Sequence, residues 1–400
     1  MLSEFMPWIE LALRWAHVLA GISWIGTSFY FIWLDNSLRP PPEPQPGVAG
    51  ELWAVHGGGF YRKRKYLVAP PVLPEHLHWF KWEAYFTWIS GFLLLAVIYY
   101  LGAELFLIDR AKLDLGAGAA IAVSLAFIAG GWIVYDGLSR SPIGRKPSLF
   151  AAIWFCALIG AAYALSRIFT DRAAFMHVGA MVGTVMAANV FMVIIPNQRK
   201  ATAAMLEGRA PDPALGVQAK QRSLHNNYMT LPVVLIMIGG HYPMLWGGDY
   251  SWLLLTGLSA VGLLIRHFFN LKNKGATNHL WLAAAAAMFA ITAIIGVASQ
   301  APRGAQTADA VSFVQARAIV ERHCVACHSP APAHVGFSIA QAGIDLTRPE
   351  AIRLNAPLIL QQSVLTDTMP LGNETGMTEE ERAALGQWIR AGARIDGQSP

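Results

Sequence analysis

The sequence predicts an all-α protein: a polytopic bundle of eight membrane helices followed by a small helical domain outside the lipid. Three observations carry this. Hydrophobic residues make up 54% of the 400 positions and charged residues 14%, against about 25% charged in an ordinary soluble domain. Eight apolar runs each reach the roughly 20 residues needed to cross about 30 Å of hydrocarbon. After residue 298 the composition turns polar, and a Cys-x-x-Cys-His run appears at 324–328.

The apolar runs cover 9–34, 79–101, 116–135, 149–169, 173–195, 228–246, 251–270 and 279–298. Helix is the expected form, because each run must satisfy its own backbone polar groups in lipid. The first lacks a basic leader and an A-x-A site, so it reads as a span and not as a cleavable signal. Lys and Arg number fifteen in the odd loops and three in the even loops. That asymmetry places the odd loops in the cytoplasm, and the N-terminus and everything after 298 outside. The formal charge of +5 thus reports topology, and no nucleic-acid partner is expected. The basic run Arg62–Lys65, beside Gly57-Gly58-Gly59, reads as a cytoplasmic anchor. A short repeat, His17-Val18-x-Ala20 and His177-Val178-x-Ala180, suggests two four-helix halves.

Three segments follow: a membrane domain at 1–298, a linker of small and polar residues at 299–311, and a soluble domain at 312–400. The last contains no Lys and carries seven Arg against nine acidic residues. Three cysteines in the whole chain are too few for a disulfide scaffold. Cys324-Val325-Ala326-Cys327-His328 is instead the attachment pattern of a single c-type haem. Two thiols at this spacing can add to the two porphyrin vinyl groups, and the adjacent imidazole meets the iron. Met369, 41 residues after His328, supplies the second axial ligand of a Met/His pair, which raises the potential. Met377 and His334 are rivals for that place. A helix from about Ser312 leads into the motif, and Thr378 N-caps a last helix with acids in its first turn. The segment resembles a class I cytochrome c. Covalent c-type haems are attached outside the bacterial cytoplasmic membrane, in agreement with the loop count.

Ionisable residues at membrane depth are costly and tend to be functional. His17, His177 and His241 share the outer half. His76, His78, His225, His267 and His279 share the cytoplasmic half, beside the polar pairs Lys81 and Glu83, Asn226 and Asn227, and Arg266 and Asn270. His17 and His177 are candidate ligands of a b-type haem within the bundle. The run from Arg14 to Gly26 resembles the first helix of four-helix membrane protoporphyrinogen oxidases, where a His at the place of His17 is implicated with haem. No G-x-G-x-x-G after a strand, no P-loop and no H-E-x-x-H is present.

In order along the chain, eight spans, His17, the Gly57-Gly58-Gly59 loop, the Asn189…Pro196-Asn197-Gln198-Arg199-Lys200 helix end and a terminal cytochrome resemble one bacterial family. This is the integral-membrane urate oxidases fused to cytochrome c. The resemblance implies oxidation of urate to 5-hydroxyisourate in purine breakdown. It also implies residence in the bacterial inner membrane, with the cytochrome domain periplasmic. Electrons would leave through the haem to a soluble cytochrome c or terminal oxidase. Such a site needs a base and donors for an anion, roles that His76, His78, His225, Arg266 and His267 can fill. A periplasmic site around Arg14, His17 and His241 is the other placement. Two rivals stay open: another haem-linked membrane dehydrogenase, acting on quinol or a porphyrinogen, and a non-catalytic anchored electron carrier.

Overall fold

The computed structural model of the chain describes residues 2–247, 250–299, 311–334, 336–337 and 339–395. The expected linker at 299–311 falls almost wholly outside these residues. Helix dominates. The bundle comprises α1 (Leu2–Ser37), α2 (Trp82–Leu95), the short α3 (Ala103–Phe106), α4 (Ala117–Arg140), α5 (Pro147–Ser166), α6 (Asp171–Ala188), α7 (Ile195–Leu206), α8 (Pro213–Gly239), α9 (Ser251–Asn273) and α10 (Leu280–Ser299). A π-helical turn at Asn189–Ile194 joins α6 to α7, making one run of 36 residues. Pro196 is the second residue of α7, directly after the π-turn.

Seven helices among the described residues are long and apolar enough to cross a membrane, as expected of a membrane protein. They match seven of the eight predicted spans. The eighth, 228–246, is not among them. Its first part is the end of α8, which stops at Gly239, and a 3₁₀ turn at Pro243–Leu245 follows. The reason is that α8 is polar where it is most hidden. Arg222, Asn226, Asn227 and Thr230 are all buried, with α6 on one side and α9 on the other. Polar side chains within a bundle belong on the interior, and hydropathy alone cannot see that.

An expectation of pure helix also needs correcting. Strands β1 (Val48–His56) and β2 (Gly59–Tyr66) pair antiparallel. Gly57 and Gly58 both take positive φ at the turn between them, as a two-residue hairpin requires. The basic run lies on β2, where Arg62 and Arg64 converge on the buried Glu51 of β1. The lysines and arginines read as an anchor are therefore partly neutralised within a hairpin.

The tail builds a core of its own from Phe313, Val320, Leu346, Ile352, Met377, Leu385 and Trp388. Its helices are α11 (Phe313–His323), α12 (Pro349–Leu354), α13 (Ala356–Ile359) and α14 (Glu379–Arg390). Ser312 with Gln315, and Thr378 with Glu381, close capping boxes at the starts of α11 and α14. The two helices meet through Phe313 and Trp388, whose rings lie 5.6 Å apart. Arg322 adds an ion pair to Glu381 at 2.7 Å. The tail seats on the bundle at Gly247, against Thr366, and near α3, where Gly336 faces Leu105.

Candidate functional site

Two polar networks flank α8. On the α6 side, Asn189 is the hub. Its amide nitrogen donates to the Tyr135 hydroxyl at 3.0 Å and to the Asn226 carbonyl oxygen at 2.8 Å. Its own carbonyl accepts from Arg222 at 3.2 Å. The Arg222 guanidinium then reaches Asp136 at 2.7 Å and lies over the Tyr135 ring. The Tyr135 hydroxyl is also hydrogen-bonded to Nδ1 of His225, 2.8 Å away. His225 lies flat against Phe150, with ring centres 4.3 Å apart. Asn189 opens the π-turn, and such turns recur at functional sites.

On the α9 side, Asn227 is the hub. Its carbonyl oxygen accepts from Nε of Arg266 and from the Asn270 amide, both at 3.0 Å. The Asn227 amide nitrogen and the Asn270 carbonyl oxygen are buried and have no hydrogen-bond partner among the described residues. Phe29 of α1 backs the Arg266 guanidinium, 4.0 Å from its ring centre. Arg266 is 6% exposed and Arg222 3%. Arg222 has a carboxylate; Arg266 has none among the described residues. Next to Arg266, His267 pairs through Nδ1 with the Tyr228 hydroxyl at 2.8 Å and packs edge-on against Trp281.

Of the five predicted catalytic residues, Arg266 and His267 of α9 meet Asn227 and Tyr228 of α8, while His225 turns to the other network, on Tyr135 and Phe150. His76 and His78 stand apart, exposed on the segment before α2, where His78 packs against Phe80. Topology gave these residues a depth, but the direction each faces comes only from packing. The phenols of the networks (Tyr135, Tyr228) carry no charge and escaped notice, and Asn189 stood out only within the helix-end motif, not as a hub. An Asn inside an apolar run is the signal that marks it as one. An open groove of about 360 Å³ lies elsewhere, between α4, α5 and α6. Its lining is apolar, so it offers nothing to an anion.

His17 and His177 have separate partners. Nδ1 of His177 donates to the Ala173 carbonyl at 2.7 Å, which fixes the tautomer. Nε2 then accepts from the Ser124 hydroxyl at 2.7 Å. Tyr100 in turn donates to Ser124 at 2.9 Å. His177 is fully buried, with Tyr99 and Phe169 against its ring. His17 instead packs on α2, near Thr87 and Ser90, over Gly91, where a Cβ would come within 2.8 Å of the imidazole. Each histidine thus sits in its own hydrogen-bonded setting, His177 between Ala173 and Ser124 and His17 on α2. His241, on the turn after α8, is exposed.

In the tail, the end of α11 sets the Cys-x-x-Cys-His run on one tight turn. The backbone N–H groups of Cys327 and His328 donate to the Cys324 carbonyl at 3.2 and 2.9 Å. Both cysteines are free thiols. Burial pushes the Cys324 thiol up to about 12, the opposite of the depressed value that a redox Cys-x-x-Cys nucleophile needs. Among the described residues no three His, Cys, Asp or Glu side chains converge as a metal-binding group. Nδ1 of His328 is buried and unpartnered. Burial holds this imidazole below its usual range, and therefore neutral, as an iron ligand must be. This donor set fits a covalent c-type haem. Of the three candidates for the other axial place, Met377 is a core residue. His334 is bound to Glu374 at 3.1 Å and to the Gly336 N–H at 3.0 Å. Met369 is half-buried. Its backbone is clamped by the N–H bond to Gln362 and by Arg382 of α14, which donates to its carbonyl at 2.8 Å.

The fold and site define a helical protein with membrane-length spans and a polar, cationic interior. Residues 3–297 match the family described as urate oxidase N-terminal. The chain belongs to that family, and membership points to an oxidoreductase acting on urate. No curated protein and no solved structure matches the chain.

Proposed function

We propose that this protein is a membrane-embedded urate oxidase whose electrons leave through a c-type haem in its C-terminal domain. In this reading α8 is an eighth, interior span, the bundle lies in the bacterial inner membrane, and the tail is periplasmic. Family membership across 3–297 is the observation that carries it. The overall change is urate plus water giving 5-hydroxyisourate, two protons and two electrons. Cys324, Cys327, His328 and Met369 would hold the haem, which would take the two electrons one at a time at a raised potential, passing the first to the onward acceptor before the second. A soluble cytochrome c or terminal oxidase is the onward acceptor.

The chain's own residues account for binding and proton handling. In this reading Nε2 of His267 takes a urate proton, and the Tyr228 hydroxyl bonded at Nδ1 orients the ring. Urate is a planar monoanion near neutral pH, and the Arg266 fork offers the donors it requires. Asn227 and Asn270 beside it are buried.

The test is anaerobic addition of urate to purified full-length protein while the haem α-band is followed. Urate-dependent reduction, with 5-hydroxyisourate as product, is expected. A haem that stays oxidised in urate yet reduces with a quinol would transfer the assignment to a quinol dehydrogenase. Joint replacement of Cys324 and Cys327 by Ala should abolish the signal and leave the bundle folded.

A further inference from the structure

Arg266 and Arg222 present a contrast that the fold itself does not explain. Both are buried cations in the same bundle. Arg222 is answered by Asp136 at 2.7 Å. Arg266 makes one side-chain hydrogen bond, from Nε to the neutral Asn227, and stacks on Phe29. Its two terminal nitrogens donate to nothing among the described residues. The same hydrogen-bonded unit holds a spare donor, Nδ2 of Asn227, and a spare acceptor, Oδ1 of Asn270, both buried. Unpaired buried charges are strongly disfavoured, and unsatisfied buried polar atoms call for a partner. Three such deficits in one unit describe a site awaiting a ligand.

Resting on the urate reading above, we propose that the open edge of Arg266, with Asn227 and Asn270, is the subsite that binds the anionic edge of the oxopurine ring. The chemistry of the gap selects the ligand. It needs one negative charge for the guanidinium, planar acceptor oxygens in reach of its fork, a further acceptor for the Asn227 amide, and an N–H for the Asn270 carbonyl. An oxopurine anion carries carbonyl oxygens and ring N–H groups side by side in one plane. A neutral quinol leaves the guanidinium without a counter-charge, and a porphyrinogen has no such edge of alternating carbonyl and N–H groups. Phe29 holds the guanidinium plane from behind, so the fork is pre-oriented before substrate arrives.

Asn227→Asp tests this directly, because it places a carboxylate where the ligand's charge would go. Holoprotein in detergent is compared with the variant by two measurements: the KM for urate in haem reduction, and retention of xanthine, a non-oxidised oxopurine probe, in equilibrium dialysis. Asn227→Asp is expected to melt at or above the wild-type temperature, raise the KM about 100-fold and lose xanthine, as expected when a buried charge pairing is pre-empted. Arg266→Lys keeps the charge without the fork, and should raise the KM about tenfold with a smaller change in kcat. Unchanged KM and xanthine retention in folded Asn227→Asp overturn the subsite, as does wild-type protein that retains no oxopurine. Wild-type protein that binds xanthine but never reduces its haem with urate overturns the oxidase reading and leaves the subsite standing.

Discussion

Arg222, buried on α8, and Asp136, half-buried on α4, form an ion pair at 2.7 Å, and Asn189 hydrogen-bonds the same guanidinium from the π-turn. The pair ties α8 to the bundle. Removing one partner strands a buried charge, so Asp136→Asn should destabilise the bundle by about 3–5 kcal/mol. Thermal unfolding of the detergent-solubilised protein, followed by circular dichroism, reports the loss.

The two tail methionines should separate cleanly. Met377 is 3% exposed and packs among Leu385 and Trp388. Met377→Ala is expected to lower tail stability by about 2–5 kcal/mol through the cavity it leaves, with the haem spectrum of the folded protein unchanged. Met369→Ala should do the reverse, lowering the reduction potential and altering the spectrum at little cost in stability. A potentiometric titration beside a melting curve distinguishes them.

Gly247 has no room for a side chain, because a Cβ there would fall inside van der Waals contact with Thr366 of the tail. Gly247→Ala should loosen the tail from the bundle. Faster protease release of the tail and slower urate-driven haem reduction are expected, while the spectrum of the tail itself stays as it was.

Acid should act first on the tail. The Glu381 carboxyl is held below the usual carboxylate range by the Thr378 N–H, and also by His323 and Arg322. Glu380 is lowered by its own backbone N–H and by the Thr378 hydroxyl, and Asp345 by Thr347. A carboxyl with a depressed folded pKa binds protons better when unfolded. Its contribution is therefore present above the unfolded value of about 4.3 for Glu and 3.9 for Asp, and is lost as pH falls through the folded value. The melting temperature of the tail should drop below about pH 4. Glu381→Gln should flatten that fall, as seen by following haem absorbance against temperature across the pH series.

Much of the fold was legible because lipid imposes a simple rule on the outside of a helix. α4, α5 and α10 are apolar nearly throughout and could be read from hydropathy. α8 was read only in part, because Arg222, Asn226 and Asn227 face protein. The hairpin was missed because Arg62 to Lys65 carries a charge pattern that also suits a cytoplasmic loop, while its pairing partner Glu51 lies eleven residues before Arg62. At the site, Arg266 and His267 stood out by charge and depth. Tyr135 and Phe29 did not, and Asn189 stood out only as part of a helix-end motif, since a lone amide or ring in an apolar run looks like ordinary packing until its partners are known.

The hidden polarity of α8 bears on how the protein is made. A segment whose middle carries Arg222, His225, Asn226 and Asn227 is a poor candidate for spontaneous partitioning from the translocon into lipid. It becomes acceptable once Asp136, Asn189 and Arg266 are at hand to receive it. Two of those partners, on α4 and on the π-turn after α6, emerge from the ribosome earlier, but Arg266 comes later, on α9. Biogenesis must therefore shelter α8 against the nascent α4–α6 assembly until α9 is synthesised, and the partners that shelter it are the ones that later shape the site.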